Sequence, residues 1–259
     1  MNIDLSGKRA VICGGSRGIG RAIALACAEA GASVSICARG AEALDKTRAD
    51  IAAHGQKAHA APCDLAQKDQ IDRYIAGAAE ALGGIDILVN NASAFATTDD
   101  EAGWGGSLAV DLLATVRATQ AASPFLEESG AGAILNISSI SAFHPSVRTT
   151  PYGVAKAAVV QYTQNRAAAL AKKGVRVNCI CPGSIECICP GSIEFPGGSW
   201  ERHKANNPQL YNAILRSIPF GRLGHPEEVA RVALFLLSPL ANWVTGQTIS
   251  VDGGQLLGS

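Results

Sequence analysis

Short apolar runs alternate with longer helical patterns along almost the whole chain, and this alternation constrains the fold more than any other feature. Each apolar run has the length of a strand, and a segment with the pattern of a helix follows it. Strands that alternate with helices form a parallel sheet covered on both faces. The sequence therefore predicts an α/β fold with a doubly wound parallel sheet. The predicted strands, about seven, are 8–13, 33–38, 58–62, 85–90, 133–138, 175–181 and 247–251.

The intervening segments carry the spacing of apolar residues that is typical of amphipathic helices. We expect Pro124 to interrupt or end one of them, and Pro151 suits the first turn of another. No linker or change in composition divides the chain, so we predict a single domain over residues 1–259. The predicted helices are 21–30, 41–54, 67–82, 104–128, 151–173, a segment within 200–217, and 226–237.

A glycine-rich turn joins the first predicted strand to the first helix. Its glycines would let the backbone approach a pyrophosphate, and the helix N-terminus offers unpaired N–H groups. A strand, such a turn and a helix in this order predict a dinucleotide site in a Rossmann fold, although a tight turn without a ligand would have the same pattern. The candidate binding residues in this turn are Gly14, Ser16, Arg17, Gly18, Ile19 and Gly20.

The second predicted strand ends in Ala38 and Arg39, where many nicotinamide-binding folds have an acidic residue for the ribose hydroxyls. A guanidinium there suits a 2′-phosphate in charge and in geometry. Arg17 could reach the same phosphate. We therefore expect NADP(H) rather than NAD(H), unless both arginines are solvated surface charges.

Tyr152 and Lys156 stand four residues apart in a predicted helix, so their side chains share one face. A free tyrosine hydroxyl has a pKa of about 10 and is a poor acid or base at neutral pH. An adjacent ammonium stabilises the phenolate and lowers that pKa. The pair is a candidate general acid–base, and Ser139 at a strand end could hold the oxygen of the substrate.

Charge and hydropathy exclude several classes of partner. The 22 basic and 22 acidic residues balance, without a long run of one sign, so neither nucleic acid nor a lipid surface is the expected partner. No apolar run reaches the length of a membrane span, and the first residues lack the pattern of a signal peptide. We expect a cytoplasmic protein whose Cys13, Cys27, Cys37 and Cys63 are buried thiols.

These motifs, in their order and spacing, resemble those of the short-chain dehydrogenase/reductase family over essentially the whole chain, and most closely its 3-oxoacyl-carrier-protein reductase type. The matching segments extend beyond the glycine turn and the Tyr152/Lys156 pair. They include Asp64, Asn90-Asn91-Ala92, Ser139, Pro182-Gly183 and Val251-Asp252-Gly253-Gly254.

The resemblance implies a role for each motif. Ser139 would orient the substrate oxygen, Tyr152 would exchange the proton, and Lys156 would lower the pKa of Tyr152 and hold the nicotinamide ribose. The glycine turn would bind the phosphates, Asp64 the adenine, and Asn90 would lie near the ribose, and Leu65 is a further implied cofactor contact. Further cofactor contacts are implied for Asn91, Ala92, Tyr152, Lys156, Pro182, Gly183 and Ile185. The resemblance also implies a homotetramer.

Three single residues depart from the pattern of the family. Cys13 replaces a threonine before the glycine turn, and Ser93 replaces a glycine after Asn90-Asn91-Ala92. Asp111 stands where the family has an asparagine in a proton relay. An ionised carboxylate cannot donate a hydrogen bond, and its charge would favour the protonated form of Lys156. We expect an altered pH dependence, unless Asp111 points elsewhere.

An exact internal repeat is the largest departure: residues 179–186 and 187–194 are the same octet, CICPGSIE. A tandem duplication explains the doubled Cys-x-Cys pairs without a metal site. The first copy continues the predicted strand 175–181, so we expect its Pro182 and Gly183 to keep the position beside the cofactor. The second copy would then enlarge a substrate loop at about 184–218, although the opposite arrangement is possible.

Two functions follow from these patterns. The first is an NADP-dependent ketoreductase that interconverts a small-molecule ketone and a secondary alcohol, with Tyr152 as the general acid–base. The alternative is a nucleotide-binding protein with little or no turnover, because the duplicated octet perturbs the substrate loop. The intact Ser139, Tyr152 and Lys156 favour the enzyme.

Overall fold

One parallel sheet organises residues 3–145, 147–185 and 206–258, which are the residues that the computed structural model describes. Its strands are β1 Arg9–Cys13, β2 Ser33–Ala38, β3 Ala58–Pro62, β4 Ile87–Asn90, β5 Ala133–Ile137, β6 Arg176–Pro182 and β7 Thr248–Val251. Their order in the sheet is β3-β2-β1-β4-β5-β6-β7. Because the order reverses at β1, a crevice opens between the carboxyl ends of β1 and β4.

Helices cover both faces of the sheet, as a parallel sheet requires. They are α1 Gly18–Glu29, α2 Ala41–Ala52, α3 Lys68–Leu82, α4 Glu101–Gly106, α5 Ala114–Glu128, α6 Thr150–Leu170, α7 Pro208–Ser217 and α8 Pro226–Leu237. α1 packs against α2 and α8, whereas α3 packs against α5, and α6 lies over β6. Each face of the sheet has its own apolar core.

The fold class predicted from the sequence is confirmed, and the predicted strands lie within two residues of the observed ones. The expectation for Pro124 was wrong, because α5 continues through it to Glu128. A proline inside a helix removes one N–H bond to the preceding turn and crowds the carbonyl there, but the rest of α5 keeps its helical conformation. The hydroxyl of the neighbouring Ser123 donates to the carbonyl oxygen of Thr119 at 2.7 Å.

The segment predicted as one helix over 104–128 consists of three parts. α4 begins earlier, at Glu101, where the Asp100 carboxylate caps the N–H of Gly103 at 2.8 Å. A π-helical segment, Ser107–Leu113, then joins α4 to α5. A π-helix is wider than an α-helix and is frequent at functional sites. This segment carries Asp111 and packs against α6.

The first copy of the repeated octet continues the sheet. Its residues Cys179 to Pro182 belong to β6, and Pro182 pairs with Val251 of β7. The second copy, 187–194, and most of the predicted substrate loop lie outside the described residues, as do Cys187 and Cys189. Ile185 is described and forms a bridge with Gly224.

Candidate active site

The carboxyl ends of the parallel strands collect the candidate site residues on one edge of the sheet. Gly14 follows β1, Arg39 follows β2, and Asn91 follows β4. Farther along the same edge, Ser139 follows β5 shortly after Ile137, and Gly183 follows β6. Residues that lie far apart in the chain therefore share one edge, as is usual for ligand sites in open α/β sheets.

Lys156 is held in place near the ends of β5 and β6, where the candidate catalytic residues lie. It is 2% exposed, and its ammonium donates to the carbonyl oxygen of Ile137 at 3.0 Å. The ammonium nitrogen lies 5.6 Å from the centroid of the Tyr152 ring. The structure thus brings the predicted pair together on one face of α6, with the positive charge next to the phenol.

Ser139 lies just after the end of β5, on the same edge of the sheet as Lys156 and Tyr152. Its hydroxyl oxygen accepts a hydrogen bond from the backbone N–H of Ser141 at 3.1 Å, which starts a short 3-10 turn over Ile140–Ala142. A hydroxyl has one hydrogen to donate and can accept twice. The Ser141 contact therefore leaves the hydrogen of Ser139 available for an oxygen atom of a ligand.

A second serine ties the strand to the helix. The hydroxyl of Ser138 donates to the carbonyl oxygen of Lys156 at 2.7 Å. Because the ammonium of the same lysine donates to Ile137, Lys156 is joined to the end of β5 both through its main chain and through its side chain.

Phe95 is an active-site neighbour that the sequence did not indicate. Its ring meets the Tyr152 ring edge to face, with centroids 5.0 Å apart and an interplanar angle of 73°. Its φ of 49° is unusual for a bulky residue. The backbone N–H of Phe95 donates to the Ser93 hydroxyl at 3.1 Å, so the serine that replaces the expected glycine supports this conformation.

A cavity of about 410 Å³ opens at the β1–β4 crevice, within the size range of small-molecule sites. Of the predicted cofactor residues, nine line it: Gly14, Ser16, Arg17, Ile19, Arg39, Asp64, Leu65, Asn91 and Ala92. Sequence reasoning missed seven more lining residues, Ala38, Gly40, Ala43, Cys63, Ser93, Ala94 and Val110. Most of these seven residues stand next to a predicted residue in the sequence, and this adjacency is the signal that could have indicated them.

The remaining predicted cofactor residues do not line this cavity. Gly18 and Gly20 belong to the first turn of α1, whereas Tyr152 and Lys156 form the candidate catalytic pair described above. Gly183 follows β6, and its N–H donates to Val251 at 3.0 Å. The other two, Pro182 and Ile185, stand near it along the chain.

The side chain of Asn90, for which a place near the ribose is expected, makes its hydrogen bonds within the interior of the protein. Its amide nitrogen donates to Asn136 at 2.9 Å and to Thr119 at 3.1 Å, and the residue is buried. A strand side chain alternates in direction from its neighbour. Asn91, next in the chain, accordingly turns to the cavity and donates to the carbonyl oxygen of Gly14 at 2.8 Å.

The glycine turn is packed so tightly against neighbouring backbone that it has no room for side chains, as expected where backbone must lie close to a dinucleotide. A Cβ on Gly14, whose φ is 85°, would lie 2.9 Å from the backbone of Ala92. A Cβ on Gly20 would lie 2.1 Å from the Gly14 carbonyl oxygen. α1 starts here without a side-chain cap at Arg17, so its first N–H groups are placed to receive a phosphate.

Three thiols lie at this cavity, immediately before Gly14, Ala38 and Asp64, and that of Cys63 belongs to a residue of the lining. Cys13 pairs in register with Cys37 across β1 and β2, and all three thiols are buried. Burial raises the pKa of Cys37 well above its ordinary value. The hydrogen bond with Cys37, and then burial, raise the pKa of Cys63. These thiols are apolar filling rather than nucleophiles.

No described residues form a cluster of three or more histidine, cysteine or acidic side chains that could hold a metal ion. None of the helices in the described parts of the chain is long and apolar enough to cross a bilayer.

Comparison with known proteins identifies a set of full-length relatives. Residues 14–255 match the family model described as enoyl-(acyl carrier protein) reductase. The isoepoxydon dehydrogenase of Penicillium expansum is 37% identical over 100% of this chain and 98% of its own length. The 7α-hydroxysteroid dehydrogenase of Escherichia coli K12 is 34% identical over 98% of this chain and 96% of its own length.

Solved structures extend the comparison to cofactors. A protein of Sinorhizobium meliloti 1021, assigned as a short-chain alcohol dehydrogenase, superposes with a TM-score of 0.88 at 36% identity and covers 99% of both chains. Further matching structures hold NADPH, NADP or NADH. One of them, a 7α-hydroxysteroid dehydrogenase, was solved with NADH and 7-oxo-glycochenodeoxycholic acid. A nucleotide cofactor is thus common to structures that share this fold.

Proposed function

The chain belongs to the short-chain dehydrogenase/reductase family and is an oxidoreductase of CH–OH groups, and on this premise we propose that it interconverts ketones and secondary alcohols with NADP(H) and Tyr152. The observation that carries the proposal is the buried Lys156 ammonium 5.6 Å from the Tyr152 ring. Both residues stand on the edge of the sheet that also holds the cofactor cavity.

The residues of the chain supply the proton chemistry. A bound nicotinamide would supply the hydride for reduction or accept it in oxidation. During reduction the Tyr152 hydroxyl donates its proton to the carbonyl oxygen of the substrate. The Lys156 ammonium stabilises the phenolate that remains, because the two charges are opposite and the site is buried. The Ser139 hydroxyl donates a hydrogen bond to the same substrate oxygen and orients it.

We assign the cofactor cavity to NADP(H) because two guanidinium groups line it and no acidic residue ends β2. Arg39 follows β2, and Arg17 precedes α1. A 2′-phosphate matches both in charge. The matching structures include both NADP and NADH complexes, so the preference depends on these two side chains.

We also propose a cytoplasmic homotetramer that acts on small molecules. Two groups stand out among the large apolar side chains that are exposed in the described parts of the chain. Phe235, Leu240 and Trp243, the last 100% exposed, lie on α8 and after it. Leu108, Leu113 and Val154 lie on the π-helical segment and α6. Such surfaces are typical of contacts between subunits, and light scattering of the purified protein would measure the oligomeric state.

The direct test is NADPH consumption with a panel of aliphatic, cyclic and steroid ketones, 3-oxoacyl thioesters and an enoyl thioester. We expect at least one ketone to be reduced. Tyr152→Phe should lower that rate about 10²- to 10⁴-fold, while NADPH binding, followed by its fluorescence, is retained. A Tyr152→Phe variant of undiminished rate would refute the proposal.

The same panel tests the second candidate, a nucleotide-binding protein with little turnover. The duplicated octet at 179–194 favours that candidate. If the protein bound NADPH but reduced no ketone, it would match this second candidate. If deletion of residues 187–194 then produced ketone turnover, the duplication would be the cause of the missing activity.

A further inference from the structure

Asp111 is a fully buried carboxylate inside the π-helical segment Ser107–Leu113. It is 0% exposed, and neither of its oxygens has a hydrogen-bond partner among the described residues. A carboxylate that receives no hydrogen bonds depends on a nearby positive charge to remain ionised. This unusual environment distinguishes Asp111 from Asp86, which is buried but accepts bonds from the side chain and the backbone N–H of Arg9.

The positive charge next to Asp111 belongs to the proposed catalytic lysine. One oxygen of Asp111 lies 3.4 Å from the Lys156 nitrogen, which is within ion-pair distance. The same nitrogen donates to Ile137 and lies above the Tyr152 ring. The same ammonium therefore interacts electrostatically with the Asp111 carboxylate and with the ionised form of the Tyr152 phenol.

We propose that Asp111 is the counter-ion of Lys156 and thereby limits how strongly the ammonium stabilises the Tyr152 phenolate. The inference rests on the proposed function, in which Tyr152 exchanges the proton. Asp111 acts through Lys156 and is a positioning residue: it tunes the acidity of the phenol and touches neither substrate nor cofactor.

The physical basis is the sum of charges at the phenol. An ammonium alone favours ionisation of a nearby hydroxyl, whereas an ammonium paired with a carboxylate presents almost no net charge. Asp111→Asn keeps the shape of the side chain and removes its charge. The Tyr152 hydroxyl should then ionise at a lower pH, by about one unit if Asp111 now cancels a large part of the field.

Other titratable groups around the pair must be considered. From α6 itself Tyr152 faces Lys156. From β6 the thiols of Cys179 and Cys181 interact with the same ammonium. The hydrogen bond between the two thiols lowers the pKa of Cys181 and raises that of Cys179. A comparison of Asp111→Asn with and without Cys181→Ser shows whether a titration belongs to a thiol or to the Tyr152 phenol.

The experiment measures the tyrosinate absorbance of the whole protein against pH, without substrate. Burial raises the pKa values of Tyr74 and Tyr162, so these phenols ionise later. The chain has four tyrosines, and the fourth, Tyr211, is replaced by phenylalanine in the parent and in every variant. Tyr152→Phe then identifies the part of the signal that belongs to Tyr152.

We expect Asp111→Asn to lower the midpoint of the Tyr152 signal and to move the pH–rate profile of alcohol oxidation by the same amount. Asp86→Asn, which removes a buried carboxylate at the opposite end of the sheet, should leave the midpoint unchanged. Asp111→Ser is the second neutral variant if Asp111→Asn folds poorly.

An unchanged or higher midpoint in a folded neutral variant would overturn the inference, as would an equal shift in Asp86→Asn. A shift that disappears with Cys181→Ser would reassign the titration to the thiols and overturn it as well. Failure of the proposed function has a different signature: Tyr152→Phe would turn over ketones at the parent's rate, or the parent itself would turn over none, whatever the midpoint of Asp111→Asn.

Discussion

The two halves of the functional edge are built on opposite principles. The proposed cofactor half, at β1 to β4, surrounds a cavity with glycines, small apolar side chains and polar side chains that are exposed or half-buried. The catalytic half, at β5, β6 and α6, places an ammonium and a carboxylate in the protein interior. We expect the first half to bind its ligand through the shape of the cavity, so that an added atom at a tight turn weakens binding. The second half depends on buried charges, so that removal of a charged group lowers activity or stability.

The difference shows where each half can tolerate change. At the tightest turns of the cavity the backbone leaves no space for an added Cβ. A buried ion pair tolerates the loss of both partners better than the loss of one, because a single buried charge has lost its compensation. Variants in the two halves should therefore fail in different ways.

The largest effect is expected from Lys156→Met. It removes the charge beside Tyr152 and leaves Asp111 buried without a counter-ion. Turnover should fall about 10²- to 10⁴-fold, and the free energy of unfolding should fall by about 3–5 kcal/mol. Ketone reduction and urea denaturation measure the two effects separately.

The matched control for that variant is the double change Lys156→Met with Asp111→Leu. It should recover most of the stability, because no buried charge remains, but none of the turnover. A double variant that is as unstable as Lys156→Met would show that the carboxylate is not compensated by the lysine.

Gly20→Ala tests the cofactor half in the same way, by an added atom. The new methyl group would lie 2.1 Å from the Gly14 carbonyl oxygen and 2.4 Å from the Asn91 amide, so the turn must open. We expect a loss of about 1–3 kcal/mol in stability and weaker NADPH binding. Fluorescence titration and thermal unfolding measure these effects.

Gly77→Ala in α3 is the control, because a Cβ there meets nothing within 4 Å. An alanine in the middle of a helix should stabilise the protein by about 0.5–1 kcal/mol. If both variants bound NADPH like the parent, the glycine turn would not be the phosphate site.

Arg39→Ala should produce a smaller effect, confined to the choice of cofactor. Loss of a charged hydrogen bond to a phosphate corresponds to about 1.5–3 kcal/mol, or roughly a tenfold to hundredfold higher KM for NADPH. The KM for NADH should change little. Arg48→Ala, which alters an exposed arginine of α2 beside Asp45, should leave both KM values unchanged. Equal losses for the two cofactors would contradict the NADP assignment.

The smallest effect concerns pH and stability. His59 contacts the Ser35 hydroxyl at 2.9 Å, and burial lowers its pKa from the ordinary 6.5. Since the folded protein favours the neutral imidazole, stability is full above pH 6.5 and is lost as the pH falls below it.

His59→Gln should flatten this part of the stability curve, whereas His54→Gln, a change at an exposed position, should not. Urea denaturation between about pH 7 and pH 5 measures the slope. The pH–rate profile should be unaffected by His59→Gln. A shifted profile would mean that the two halves of the edge are not independent.

Most of the architecture could be predicted from the sequence because its signals are local. Apolar runs bounded by glycine, and helices bounded by proline or glycine, located every strand of the sheet to within two residues. The glycine turn lies between β1 and α1 as predicted, and Gly14 and Gly18 in it have positive φ. Such signals need no knowledge of distant residues.

What could not be predicted depends on contacts between distant parts of the chain. The π-helical segment has no signal of its own, and it places Asp111 against Lys156 of another helix. The backbone of Phe95 adopts a conformation that its residue type disfavours, supported by Ser93 and by the Tyr152 ring. The resemblance to a family drew attention to Asp111, but the distance to Lys156 came from the structure.

The double attachment of Lys156 to the end of β5 has a consequence for protein engineering. Its anchors are the carbonyl of Ile137, the last residue of β5, and the hydroxyl of Ser138, the buried residue that follows it. Designers could therefore graft foreign wall segments around the reaction centre to recruit new ketones, while the proton-handling machinery keeps its alignment.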